Sequence, residues 1–118
     1  MLIVDSTGKF NRDVKRLNRK HVNLAPLDSV IALISENTAE SQETLRRHHR
    51  AHKLAGEWAG AQECHVANAG DWLVVWREIG EKAWLMRTGT HDEVFKGDPP
   101  AIPQEEPSSV HTEREGSL

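Results

Sequence analysis

The sequence predicts an α+β domain in which a two-helix hairpin packs on one face of a small antiparallel β-sheet. Two observations lead to this prediction. Apolar residues recur at helical spacing through the first third of the chain, and strand-like apolar segments follow one another between residues 63 and 87. At 118 residues the chain has the length of one domain.

The N-terminal segment is predicted to form a strand followed by a helix. Leu2-Ile3-Val4 is a short strand candidate, ended by a polar stretch that can cap a helix. The helix is predicted over about residues 7–22. Its apolar stripe repeats at helical spacing, with basic residues on the other faces, and consists of Phe10, Val14 and Leu17.

A second helix follows after a short connection. Pro26 suits the first turn of a helix, and the apolar stripe behind it ends near Asn37. The polar segment 38–43 is predicted to be irregular, and the segment 54–60, with two glycines around Trp58, a structured loop.

Three strands are predicted in the second half, at residues 63–67, 72–77 and 82–87. The turn around Ile79-Gly80-Glu81 makes the last two antiparallel. Val94-Phe95 is expected to add a short final strand or to cap the core. The predicted order is therefore β-α-α-β-β-β.

The acidic charge of the chain is concentrated at its C-terminal end. Residues 98–118 carry a net charge of −4, so the total of −3 leaves residues 1–97 at +1. Four prolines in the same stretch favour disorder. We therefore divide the chain into a folded domain, 1–97, and an acidic, proline-rich disordered tail, 98–118.

Cysteine usage and hydropathy limit the class of protein. The single cysteine, Cys64, excludes a disulfide framework and a multi-cysteine zinc site, which favours a reducing, cytoplasmic setting. No apolar run approaches the roughly 18 residues of a membrane span, and no signal-peptide pattern is present. We expect no membrane partner.

Two stretches carry residues suited to phosphate chemistry. One strand ends in Arg87, breaks at Thr88-Gly89-Thr90 and presents His91, so a cation and an imidazole are placed to hold and protonate a phosphate. The densest cationic patch spans residues 46–53 and suits polyanion binding. Its arginines are Arg46, Arg47 and Arg50.

Over about residues 1–96 the sequence resembles the YafQ-type toxins of the RelE/ParE superfamily, from bacterial toxin–antitoxin systems. The string Arg-Thr-Gly-Thr-His at residues 87–91 contributes most to this resemblance. Three further motifs precede it in the family's order, and Phe95 follows it: His-Lys-Leu-Ala-Gly-Glu-Trp-Ala-Gly at 52–60, Glu-Cys-His-Val at 63–66 and Asp-Trp-Leu-Val-Val-Trp at 71–76. The resemblance implies a RelE/ParE-like fold.

The resemblance also implies a function. Toxins of this kind are ribosome-dependent mRNA endoribonucleases that need no metal or other cofactor, and the substrate's own 2′-hydroxyl attacks the adjacent phosphate. The implied partners are a cognate antitoxin, the 70S ribosome with its mRNA, and operator DNA only indirectly through the antitoxin.

The family's functional positions are His52, His65, Asp71, Trp72, His91 and Phe95, and Arg87 is expected to bind phosphate. Cleavage needs a base for the 2′-hydroxyl and an acid for the departing 5′-oxygen. We assign the acid to His91. The base is His65 or His52, and Asp71 orients an imidazole or takes the proton itself. Trp72 and Phe95 pack the site or stack on a base.

One departure from the family pattern concerns the loop before Asp71. Five residues separate His65 from Asp71, where relatives usually have three, so we expect a longer, more flexible loop. A catalytically weak relative that only binds its antitoxin or acts as a corepressor therefore stays an alternative.

Two further alternatives are open at this point. One is the gyrase-poisoning branch of the superfamily, which lacks such an imidazole cluster. The other is a metal site with His48 and His52 on one helix face. Its further ligands are drawn from His49, Cys64, His65 and His91.

Overall fold

The computed structural model describes residues 1–67 and 70–102. Within them, five strands form one sheet, and helices cover both of its faces. The elements in chain order are β1 (Ile3–Ser6), α1 (Gly8–Arg19), α2 (Ala25–Glu36), α3 (Ala39–His49), β2 (His52–Lys53), a 3₁₀ turn (Gly56–Trp58), β3 (Ala61–His65), β4 (Leu73–Ile79), β5 (Lys82–Gly89) and α4 (His91–Val94).

The strands lie in the order β1-β5-β4-β3-β2. The predicted antiparallel pairing of β4 with β5 is confirmed, and β3 continues it on the other side. The first strand pairs with β5 in the parallel direction, from Ile3 opposite Lys82 to Ser6 opposite Leu85. The sheet is therefore mixed, with one parallel pair among antiparallel ones. Parallel neighbours need a long connection, and the chain between β1 and β5, which includes the helices, supplies it here.

Each of the first two helices has a clear local cause. Thr7 caps α1, because its side-chain oxygen accepts the Phe10 N–H at 3.1 Å. The helix ends at Arg19, three residues earlier than predicted, and His21 takes a φ of 61°. Pro26 lies in the first turn of α2, as predicted, and Asn37 closes that helix in the left-handed conformation.

The prediction of an irregular segment at 38–43 is wrong, since α3 begins at Ala39. Thr38 and Ser41 form a capping box in which each side chain accepts the other's backbone N–H, at 3.0 and 2.9 Å. No helix in the described part of the chain has both the length and the apolar character needed to span a membrane.

The larger core lies between the helices and one face of the sheet, as predicted. α2 packs on α3, whereas α1 lies along β5. Apolar side chains from all three helices meet those of the strands there, and the buried ones include Phe10, Leu27, Val30, Ile34, Leu45, Val74, Trp76 and Leu85.

A second core, which the sequence did not predict, covers the opposite face of the sheet. The segment at 94–95 is not a strand, because Val94 ends helix α4 and is buried against this face. Ile102 is also buried, with 2% of its surface exposed, although it lies in the predicted tail. This core contains Trp58, Ala61, Val75, Trp84, Met86, Val94 and Ile102. The remaining predicted tail, 103–118, lies outside the described residues.

The burial of Ile102 predicts that the folded domain extends past residue 97. A chain ending at Gly97 should be less stable than one ending at Gln104 by about 1.5–3 kcal/mol, since burying an isoleucine side chain contributes that much. Thermal unfolding of the two chains measures the difference, and Ile102→Ala in the longer chain isolates the side chain. Equal midpoints for the two truncations would contradict the prediction.

Candidate active site

His91 lies where β5 passes into α4, at the first residue of that short helix. Thr90 caps the helix and forms a capping box with Glu93, with N–H to oxygen distances of 3.1 and 3.0 Å. Gly89 must be glycine here, because its φ is 147° and an added Cβ would lie 2.6 Å from Glu93 Oε1. The local sequence therefore fixes the position of His91.

Asp71 holds His91 through both its backbone and its ring. Its two carboxylate oxygens each lie 3.1 Å from the His91 N–H, and Oδ1 lies 2.7 Å from His91 Nδ1. A carboxylate only accepts hydrogen bonds, so Nδ1 carries the proton and Nε2 is the atom left for chemistry. The hydrogen bond from the His91 side chain lowers the pKa of Asp71 below its usual value.

The lengthened loop therefore does not prevent Asp71 from reaching His91. Asn68 and Ala69, on which the predicted flexibility of this loop falls, lie outside the described residues.

A buried carboxylate that the sequence analysis did not select, Glu63, lies between two of the predicted histidines. Its Oε1 is 3.5 Å from His52 Nε2, and its Oε2 is 3.5 Å from His91 Nε2. The side chain is only 5% exposed, whereas both imidazoles are about half exposed. The pairing of β2 with β3 sets His52 directly opposite Glu63. Glu63 opens the motif at 63–66, but only this register shows that it lies beside the histidines.

His65 lies on the same side of β3 as Glu63, because alternate residues of a strand face the same way. Its ring centroid is 6.1 Å from that of His91. The backbone oxygen of His65 contacts His49 Nδ1 at 2.8 Å, which ties this strand to α3. Within the described residues, no hydrogen bond or ion pair engages the His65 ring.

The two aromatic residues predicted for the site differ in their surroundings. Phe95 lies beside His91, with ring centroids 6.2 Å apart, and meets Trp58 edge-on at 5.0 Å. Trp72 is half-buried and packs against the larger core, and its indole N–H donates to Thr88 Oγ1 at 2.9 Å. Packing therefore accounts for Trp72, while Phe95 also lines an open depression of 390 Å³ with His91, Asp92 and Lys96.

Arg87 is held inside the protein and does not present a free guanidinium to a phosphate. Its Nε and Nη2 donate to the two oxygens of Asp13 at 2.7 and 3.1 Å. Its side chain is 13% exposed. Asp13 on α1 thus competes with phosphate for the Arg87 guanidinium. The two residues are 74 positions apart, so the sequence did not predict their contact.

The predicted basic patch lies at the end of α3 and in β2. Arg46 and Arg47 both pair with Glu43, one turn earlier in the helix, and both are exposed. Arg50 closes α3 with a φ of 55°. The structure therefore places these arginines on a helix end that Glu43 partly neutralises.

The arrangement needed for the alternative metal site is not formed. His48 lies in α3, but His52 lies in β2, so the two do not share a helix face. Cys64 is buried on the helix side, and burial, followed by the charge of Glu63, raises the pKa of its thiol to about 12. In residues 1–67 and 70–102, no group of three or more potential ligands has a geometry that suits a metal ion.

The sheet with its helices is shared with known toxins. A solved structure of YafQ from Escherichia coli strain BL21(DE3) superposes with a TM-score of 0.69 at 25% identity, over 80% of this chain and 99% of that chain. A copper-bound mutant toxin from Helicobacter pylori gives 0.70 at 25% identity, over 80% and 100%. The chain also matches the curated mRNA interferase toxin YafQ of Escherichia coli (strain K12), with 27% identity over 92 residues, 78% of this chain and 94% of the relative.

The fold and the family match are therefore those of a bacterial toxin of a type II toxin–antitoxin system. The sequence profile of the family described as "Bacterial toxin of type II toxin-antitoxin system, YafQ" matches residues 2–96. The chain belongs to the YafQ family.

Proposed function

We propose that this toxin is an endoribonuclease that cleaves mRNA on the ribosome, with the substrate's 2′-hydroxyl as nucleophile. The observation that supports this most is the position of His91, whose Nδ1 is held by Asp71 while its Nε2 faces Glu63 beside an open depression. The name of the curated relatives, mRNA interferase toxin, supports mRNA as the substrate class.

His91 is the general acid in this proposal. The imidazole is an efficient proton donor near neutral pH. Because Asp71 binds Nδ1, Nε2 is the atom that delivers the proton to the departing 5′-oxygen. Asp71 fixes the orientation of the ring and acts as a positioning residue.

His65 is the general base. Its ring has no hydrogen-bonding partner within the described residues, and the ring centroids of His65 and His91 are 6.1 Å apart, so both imidazoles can reach one phosphate bound beside them. His52 is less suited to this role, because Nδ1 contacts the Arg50 carbonyl oxygen at 3.0 Å and Nε2 faces Glu63. We assign to His52 and Lys96 the stabilisation of the developing phosphorane charge.

The reaction then balances as follows. The 2′-oxygen forms a bond to phosphorus while its proton passes to His65, and the bond from phosphorus to the 5′-oxygen breaks as His91 donates its proton. The products are a 2′,3′-cyclic phosphate and a 5′-hydroxyl.

This mechanism predicts the chemistry of the cut ends. Transcripts cleaved during translation should have 5′-hydroxyl ends, which a polynucleotide kinase can label without prior phosphatase treatment. The upstream fragments should resist ligation at their 3′ ends until the cyclic phosphate is opened and the resulting phosphate is removed. Naked mRNA without ribosomes is the control and should be cut far more slowly. A 5′-phosphate at the cut site would contradict the mechanism, because it requires water to attack in place of the 2′-hydroxyl.

The proposal extends to partners and location. Solved neighbours include an Escherichia coli DinJ–YafQ complex, with a TM-score of 0.68 at 26% identity. We assign to this toxin an antitoxin that binds basic and apolar surfaces near α1 and the patch 46–53 through an acidic segment that folds on binding. Operator DNA is contacted only through that antitoxin. Since its substrate is translated mRNA, the toxin acts in the cytoplasm.

A further inference from the structure

Among the described residues, a concave surface between α1, the end of β5 and α4 is lined by charged side chains alone. We call it the basic cleft, and its volume is 430 Å³. It holds six cations and two acids, a net charge of +4. The lining residues are Lys9, Arg12, Asp13, Arg16, Arg19, Arg87, Glu93 and Lys96.

Both acids of the basic cleft are already engaged within the protein. Asp13 accepts hydrogen bonds from Arg87, from Arg16 at 2.9 Å and from the Thr88 N–H at 3.1 Å. Glu93 accepts from Arg16 at 3.3 Å and caps α4. Because both carboxylates are already paired by these contacts, the outer cations of the cleft have no counter-charge among the described residues.

Four cations of the cleft have no hydrogen bond or ion pair within residues 1–67 and 70–102. Three of them lie on α1 and one follows α4: Lys9, Arg12, Arg19 and Lys96. The Arg16 Nε atom is also buried without a partner there. Like charges held around one concavity repel each other, and an external anion relieves that repulsion.

The basic cleft adjoins the candidate active site. Lys96 lines both the cleft and the depression beside His91 and Phe95. A chain of phosphates can therefore pass from the depression to α1 over this lysine. The arginines of the patch 46–53 offer less, because Arg46 and Arg47 share Glu43.

We propose that the basic cleft binds phosphates of an RNA strand outside the scissile position. This inference rests on the proposed function, since it names a further site for the same class of ligand. RNA fits better than an acidic antitoxin segment, because a peptide that folds on binding needs apolar anchors, and none of the described residues that line the cleft is apolar. Phosphate contacts need cations and hydrogen-bond donors only.

The test compares neutralising variants within one helix. Arg12→Gln and Arg19→Gln remove two cations of the cleft, and Lys15→Gln removes an exposed cation of α1 that does not line it. The probe is a labelled 2′-O-methyl oligoribonucleotide of about 12 nucleotides. It has phosphates but no free 2′-hydroxyl, so it is not cut. Its affinity is measured by anisotropy across a salt titration.

Each cleft variant should weaken binding roughly fivefold at low salt, the factor for one ion pair at close range in water. Each should also reduce the slope of log affinity against log salt by about 0.7, the value for one phosphate contact on a single strand. Lys15→Gln should leave affinity and slope unchanged. Circular dichroism checks the fold of all three variants.

Two results would overturn the proposal. Equal slopes for Arg12→Gln, Lys15→Gln and the unaltered toxin would remove the cleft as an RNA site, and mRNA cleavage by the same preparations would leave the proposed function standing. Cleft variants that lose antitoxin binding but retain RNA binding would assign the surface to the antitoxin. A toxin that neither cleaves translated mRNA nor binds the probe would end both proposals.

Discussion

His91→Ala should lower the rate of mRNA cleavage by about 10²–10⁴-fold, the typical contribution of a general acid. The variant should fold normally, because the His91 side chain is 52% exposed and its ring contributes to neither core. The helix that it begins is capped by Thr90 and Glu93, whose contacts the substitution leaves in place. Cleavage of a defined transcript in a purified translation system measures the effect, and growth arrest on induction reports it in cells.

His48→Ala is the matched control for this prediction. His48 is an exposed histidine on α3 with no hydrogen bond or ion pair in the described part of the chain. Its loss should change neither cleavage nor growth arrest. Antitoxin binding by His91→Ala should remain intact, which separates loss of chemistry from loss of structure. If His91→Ala still cleaves at the original rate, His91 is not the acid.

Asp13→Ala should destabilise the fold by about 3–5 kcal/mol, the cost of removing one partner from a buried ion pair. The residue is 2% exposed and holds Arg87, Arg16 and the Thr88 N–H together. Without it, the Arg87 guanidinium keeps only a 3.5 Å contact to the Val94 carbonyl oxygen. In a domain of this size the midpoint of thermal unfolding should fall by about 12 °C or more. Asp28→Ala, at an exposed aspartate on α2, should cost about 1 kcal/mol or less.

The same group predicts a pH dependence of stability. Burial alone would raise the pKa of Asp13, but hydrogen bonds from Arg87, the Thr88 N–H and Arg16 outweigh it, so the pKa lies below its usual value. The stabilisation is therefore complete above the unfolded pKa of about 3.9 and is lost as the pH falls through the lower folded value. Asp13→Asn should flatten this part of the curve of stability against pH. An unchanged acid limb would show that other carboxylates cause it.

The sequence predicted the parts of the fold that depend on local signals. The apolar spacing behind Thr7 and Pro26 located α1 and α2, and the glycine turn located the hairpin of β4 and β5. It could not reveal α3, because that helix buries little apolar surface. Among its buried residues, only Leu45 is apolar, and Ser41 occupies the other position. Its capping box is a polar signal that also occurs in loops.

Contacts that arise only from strand register could not be predicted from the sequence. The motifs named His52, His65, Asp71 and His91, and the structure groups the first three around His91, with His52 linked to it through Glu63. Glu63 was missed, because a single acid in a strand normally faces solvent, and its neighbours arrive from β2 and α4.

The second core and the Asp13–Arg87 pair were missed for a related reason. Val94 and Ile102 belong to short or proline-rich segments without periodicity, and the ion pair joins residues 74 positions apart. Such long-range partners leave no local pattern.

The parallel pairing of β1 with β5 has a consequence for the folding of the toxin during its synthesis. In the described residues, β1 has β5 as its only neighbour in the sheet, and α1 packs along the same strand. β1 must therefore wait for β5, which is made much later, before it is stabilised. Such non-local closure slows folding. His91 follows β5 directly, so the proposed proton donor is positioned only after β5 has been made. Under the proposed mechanism, a nascent chain that still lacks β5 and His91 should therefore not cleave mRNA.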